Sequence, residues 1–419
     1  MRSYLTLIIA SFSFINATYN LIHAQEVYEN KIFDSHIKTV QLYPNHNDIL
    51  DQLLYPTVNI SKQNLILEFD ELAEDAMNYR AKIVSCTADW EPSELSSLEY
   101  LYEYNEFNIT NYAYSIDTDH EYVHYKFNIP PVKVSGNYVV VVYNEYDEEE
   151  ILLMRRFMVF ENKVQISSKQ SFNNIVNLSR KNQQLEFLVN YNDYNIDRPR
   201  QNVKVQIRQN NRWDNVITNI QPAFVRDDIK QMEFRFMNNN QLFTGGNEFR
   251  WFDFRSIRSP GFRVHKLIRE GEYYHLEVEP DKTRANLAYA QYQDKNGGYY
   301  IYNYDFDSPG TSSNYVLAQF TLDKSKVPSN SQIYLFGAMT DYELKEEYQL
   351  KYDNQLDKYS VELLLKQGHY DYQYLCIGDN IPRNCIEGDY FETENSYEIL
   401  IYHRPFGARA DRLVGYLQL

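Results

Sequence analysis

The chain has 419 residues and a formal charge of −17 at neutral pH, from 58 acidic against 41 basic side chains. That balance excludes a general nucleic-acid binder or a protein held on anionic membranes by charge. Aromatic residues make up 16%, with 39 Tyr and 23 Phe against 14 Gly, which favours strands over helices.

The first residues read as a secretory signal peptide over 1–24. Arg2 precedes an apolar run from Tyr4 to about Ile15, and Ala24 offers a small residue for cleavage before Gln25. The run is too short to cross a bilayer, and no later stretch reaches the roughly 18 apolar residues a membrane helix needs. The mature chain is therefore expected to be exported, soluble, periplasmic and monomeric, without direct membrane insertion. Enough chain remains for two or three domains at about 150 residues each.

In chain order, Leu65–Phe69 and Tyr79–Thr87 read as strands. Pro92–Tyr104 carries Leu95, Leu98 and Leu101 at a spacing of three, which predicts one short helix. Glu121–Ile129 and Asn137–Tyr143 return to strand character, the second apolar almost throughout, as in a strand covered on both faces. Asp147–Glu150 reads as a hairpin loop and Ile151–Phe160 as its returning strand. About seven strands before Glu161 suit an immunoglobulin-like sandwich over 25–160.

A second sandwich is expected over 163–305, from Leu185–Tyr191, Val203–Arg208, Met232–Met237, Glu248–Phe254, Tyr273–Glu277 and Tyr299–Tyr304. Asp307–Asn314, with Pro, Gly and Ser, reads as the linker. A third sandwich is expected over 306–419, from Tyr315–Leu322, Gln332–Gly337, Lys358–Leu365, Tyr370–Cys376, Tyr397–His403 and Leu413–Leu419. The fold class is all-β, three immunoglobulin-like or early-set sandwiches in series with few short helices. Cys376 and Cys385 flank a loop containing Gly378, Asp379, Asn380 and Pro382, and are placed to close a bridge in an oxidising compartment. The chain is long enough to fold without it. Cys86 would then remain a buried thiol.

His120-Glu121-Tyr122-Val123-His124 matches the H-E-x-x-H pattern of zinc metalloproteases. That chemistry needs a helix, which puts residues four apart on one face. Here the residues alternate as in a strand and are stopped by Pro130 and Pro131, and on a strand the histidines would stand about 13 Å apart. No other catalytic pattern is present, so no enzyme, cofactor or metal is expected. Charge is unevenly placed. Glu91 to Glu121 holds eight carboxylates and no Lys or Arg, whereas Arg250 to Arg269 holds six basic residues and one acid. Solvated strand faces explain this, or a partner surface with halves of opposite sign.

Two resemblances follow. Ile333–Thr340 and Lys358–Leu375 resemble the opening strand and later hairpin of early-set modules related to glycogen-binding domains. That resemblance makes a periplasmic or surface glycan-binding protein, using the C-terminal sandwich, the alternative function, although such modules stack sugars on tryptophan and Tyr342 stands in its place. A second resemblance spans nearly the whole mature chain. Cys86-Thr-Ala-Asp-Trp90, Val123-His124-Tyr125, Ser135-Gly136-Asn137-Tyr138, Asn211-Arg212-Trp213-Asp214, Gly245–Arg250 and Leu365-Lys366-Gln367-Gly368 are similar to the type IX secretion system plug protein family of Bacteroidetes. That resemblance implies a non-enzymatic plug sealing the periplasmic end of the giant outer-membrane β-barrel translocon. Arg404, Phe406, Arg409 and Arg412, in a loop and strand start, are the candidate interface to that partner.

Overall fold

The structure, a computed structural model, describes residues 28–172, 180–235, 242–259, 261–271, 273–355 and 357–419. The expected signal peptide lies outside the described residues. The chain is all-β, with only three short α-helices among the described residues. No helix among these residues is long and apolar enough to cross a membrane.

The first sandwich uses β1 (Lys31–Ile32), β2 (Ile37–Pro44), β3 (Thr57–Asn59), β4 (Leu65–Glu71), β5 (Tyr79–Cys86), β6 (Phe107–Ile109), β7 (Asn111–Tyr114), β8 (Val123–Asn128), β9 (Gly136–Asn144) and β10 (Asp147–Phe160). One sheet runs β1-β10-β9-β5-β6, with β3 added to β10; the facing sheet runs β2-β4-β8-β7. The valine run of β9 needs cover on both faces, and it has it. Tyr138, Val140 and Val142 enter the core between the two sheets, while Val139 and Val141 enter a separate core on the other side. The helix expected over Pro92–Tyr104 shrinks to one turn, α1 (Ser97–Tyr100). Its three leucines do not share a face: Leu101 is buried and Leu98 is 73% exposed.

The middle region contributes β11 (Gln165–Phe172), β12 (Asn182–Asn190), α2 (Pro199–Asn202), β13 (Val203–Gln209), β14 (Phe224–Arg226), β15 (Gln231–Phe234) and β16 (Phe243–Thr244). The third contributes β17 (Arg250–Asp253), β18 (Val264–Glu270), β19 (Tyr273–Val278), β20 (Tyr299–Ile301), α3 (Pro309–Ser312), β21 (Tyr315–Asp323), β22 (Gln332–Phe336), β23 (Gln349–Asp353), β24 (Lys358–Lys366) and β25 (Gly368–Ile377). β26 (Tyr397–His403) and β27 (Arg412–Gln418) end the chain.

Sheet pairing differs from the expected division at 305/306. β17, β19 and β20 belong to the nine-stranded sheet β17-β25-β22-β23-β24-β21-β19-β18, in which β20 adds to β25. Phe252, Phe254, Leu276 and Ile301 accordingly lie in the same core as Phe320, Leu335 and Tyr372. Conversely, β26 and β27 leave the third region and form a sheet with β13, opposite β11-β12-β15-β14. Hairpin chemistry fixes that β26 and β27 pair with each other. It says nothing about which sheet they join. The faces decide that: Tyr397, Ile399 and Ile401 fill the middle core, while Leu400 and Tyr402 meet Val139, Val141 and Met158 of the first sandwich.

Candidate functional site

The expected linker Asp307–Asn314 is packed structure. α3 lies against the outer face of the β2-β4-β8-β7 sheet, where Ile116 N–H donates to Thr311 O (2.9 Å) and Tyr122 Oη donates to Ser313 O (3.0 Å). A Cβ at Gly310 would come within 2.8 Å of His124 Nε2, so only glycine lets this turn sit on the imidazole.

Beneath the turn lies a buried charge cluster. Asp70 on β4 accepts from Lys366 Nζ at 2.5 Å, Tyr315 Oη at 2.6 Å and His124 Nδ1 at 2.6 Å. Lys366 Nζ also donates to Gly310 O (2.6 Å) and stands 4.1 Å from the centre of the Tyr122 ring. Burial by itself would raise the Asp70 carboxyl; Lys366 and His124 outweigh it and hold it below the usual carboxylate range. Burial likewise lowers the Lys366 ammonium against the opposing pull of Asp70. Three strands, β8, β21 and β24, are thus tied to β4 by one carboxylate. Further along the same junction, Gln52 brackets the backbone of Ile301, accepting its N–H (2.8 Å) and donating to its carbonyl (3.2 Å). Arg155 reaches Asp341 at 2.9 Å.

The first sandwich meets the middle one through stacked cations and rings. The Arg156 guanidinium lies 4.5 Å from the Trp90 ring centre and 5.1 Å from that of Trp213. Arg208, 4.1 Å from the centre of the Trp213 ring, is held by two hydrogen bonds to the buried Glu398 (2.6 and 2.8 Å). Asp411 accepts from Ala88 N–H (2.8 Å), and Tyr402 Oη donates to Asn137 (2.9 Å). The middle and third regions meet at Gln183, whose amide donates to the carbonyls of Phe391 and Thr393 at 2.6 and 2.7 Å.

The sequence-derived residues fall unevenly on this frame. His120 lies in a bend outside β8 and His124 on the strand itself, its Nδ1 committed to Asp70. No group of three or more possible metal ligands occurs among the described residues. Cys376 and Cys385 are joined, their Cα atoms 6.2 Å apart, and Cys86 is a buried thiol that burial pushes up to about 12. Tyr342 is no open platform: it packs edge-on against Phe336 (5.3 Å) and under the Arg212 guanidinium (5.5 Å). Arg404 is held by Asp411 through two bonds of 2.7 and 2.8 Å, Arg409 pairs with Glu99 of the first sandwich, and Arg412 is half-buried on β27. Phe406, at the turn tip, is fully exposed.

The basic run is likewise absorbed internally. Arg250 and Arg263 pair with Asp281, Arg255 with Asp253, Lys266 with Glu277 and Arg269 with Asp119. Only Arg258, over the Phe306 ring, is left without a carboxylate among the described residues. Sequence reasoning missed Asp70, Tyr315 and Lys366 as a unit. The signal was charge set among the apolar residues of a strand, LILEFDE and ELLLK.

Residues 37–161 match the family model described as the type 9 secretion system plug protein 1st domain. No curated protein matches the chain. The crystal structure of a hypothetical protein from Parabacteroides merdae is similar along 94% of this chain and 100% of that one, with 32% identity and a TM-score of 0.88. The first-domain match, inside a fold shared from end to end with that relative, shows that the chain belongs to the type IX secretion system plug protein family.

Proposed function

We propose that this chain is a non-enzymatic plug that seals the periplasmic end of the type IX translocon pore. Family membership supports a plug-like role in type IX secretion, and one structural observation supports the mode of action. Asp70 and Lys366 are buried between the first and third sandwiches and joined directly. Together with the Arg156 contacts to Trp90 and Trp213 and the strands returned by the C-terminus, that contact supports reading the sandwiches as one body. Blocking a wide pore needs bulk and stiffness, and domains joined by small polar interfaces would instead swing. The Phe406 turn, braced by Arg404–Asp411 and Arg409–Glu99, is the proposed contact loop, with Arg412 at its base.

Affinity purification tests the reading. Tagged full-length protein should recover the giant barrel from solubilised membranes, most strongly in a strain lacking the barrel's lateral-gate partner. Failure to recover it from either strain removes the proposal. Phe406→Ala with Arg409→Glu should weaken recovery while leaving thermal unfolding close to wild type.

A further inference from the structure

Sheet edges recruit other chains, and natural proteins usually blunt them with charge, proline or cover. β7 is the outer strand of the β2-β4-β8-β7 sheet, and all four of its residues are exposed. The stretch 111–116, NYAYSI, contains neither a charge nor a proline. By contrast β18, the outer strand of the nine-stranded sheet, carries Lys266, Arg269 and Glu270.

The phase of the ladder shows which backbone groups are free. Asn111 and Ala113 stand opposite Lys126 and His124, and Ser115 N–H donates to Tyr122 O. Antiparallel ladders alternate, so residues 111, 113 and 115 turn their backbone groups to β8 while 112, 114 and 116 turn theirs outward. The outward bond from Ile116 N–H to Thr311 O agrees with that phase. The equivalent groups of Tyr112 and Tyr114 have no partner among the described residues. A cleft of about 480 Å³ is lined by this edge and by the Ser308–Thr311 turn, with Glu68 and Lys126 also in its wall. Asp117 and Glu121, in the connection from β7 to β8, are exposed and carry no ion pair among the described residues.

We propose that the free edge of β7 is a strand-addition site for an extended, basic segment of a protein partner. Only another backbone matches alternating N–H and C=O groups at this spacing, and the two free residues offer up to about four hydrogen bonds. Alternate side chains of the added strand lie over Tyr112 and Tyr114 or enter the cleft, and Lys or Arg on the segment answers Asp117 and Glu121.

The inference rests on the proposed function only in taking the translocon barrel as the partner. The test compares recovery of that barrel from solubilised membranes by tagged full-length wild type, Tyr114→Pro and Tyr114→Val. Proline is tolerated on an edge strand where the N–H faces outward, so it removes the free donor without touching the β8 pairing. Valine keeps the donor and removes the ring. The proline variant should recover about tenfold less barrel, as expected for losing one backbone hydrogen bond. The valine variant should stay within about twofold of wild type, because the backbone supplies the recognition. A folded proline variant that recovers as much as wild type overturns the site and leaves the plug reading standing. Wild type that recovers none sinks both. Amide exchange over residues 110–116 of the wild-type chain should slow in the barrel complex, and unchanged exchange there overturns the site even if the proline variant does not fold.

Discussion

The carboxylate of Asp70 and the ammonium of Lys366 are 2.5 Å apart, both buried, although 296 residues separate them. Burying two charges is costly unless each is fully satisfied, and here Tyr315, His124 and Gly310 O supply the remaining bonds. The pair is therefore a joint between sandwiches, and removing either partner leaves the other stranded.

Lys366→Ala should destabilise the protein by about 3–5 kcal/mol, the usual consequence of orphaning a buried charge. Because the stranded carboxylate sits between sandwiches, calorimetry should show unfolding that is split or broader than that of wild type. An unchanged melting profile would show that the sandwiches are held by other contacts.

His124→Ala should cost about 2–3 kcal/mol, since Asp70 loses a donor and the buried space is emptied. His120→Ala, outside the strand, should stay within about 1 kcal/mol. Metal analysis should return no stoichiometric zinc, and a chelator should leave the melting temperature where it was. A melting point that falls with chelator would restore the metal reading.

Glu387 is pinned by Arg250 (3.1 Å) and Arg284 (2.5 Å) and accepts Tyr374 N–H (2.9 Å). Burial would raise its carboxyl, but the two guanidinium groups outweigh burial and hold it at about 2 against an ordinary 4.5. A depressed acid stabilises the fold above its unfolded value, and that contribution fades as pH falls from about 4.5 to about 2. Glu387→Gln should therefore be less stable than wild type by about 3 kcal/mol at pH 7, with the gap narrowing towards pH 2.5. Equal gaps at pH 7 and pH 2.5 would contradict the assignment.

Ending the chain at Asn395 should unfold the middle region and spare the third. The deletion removes Tyr397, Ile399, Ile401 and Val414 from the middle core, together with β26, the strand paired to β13, and β27 beyond it. Hydrogen exchange should lose protection over 185–189 while 370–376, inside the nine-stranded sheet, retains it. Loss confined to the third region would reverse the pairing argument.

Local pattern was sufficient for strand character at β4, β5, β9, β12, β13, β21, β22 and β24 to β27, because alternation and β-branched or aromatic content are properties of short windows. It was also sufficient to place His124 on a strand rather than a helix, as β8 carries it. The valine run of β9 announced two covered faces without saying what covers them. The family resemblance likewise lay in short fragments, two of which contain His124 and Lys366.

What tertiary structure alone decided is where strands and charges go. A strand's edge hydrogen bonds are the same whichever sheet it joins, so nothing in Tyr397–His403 distinguished the third region from the middle one. Only the fit of its two faces to two cores did. A lone Asp or Lys in an apolar run says that a partner exists, and the Coulomb energy that selects it depends on separation in space, not along the chain. Asp70 and Lys366 become legible as a joint only when the sheets that carry them are laid against each other.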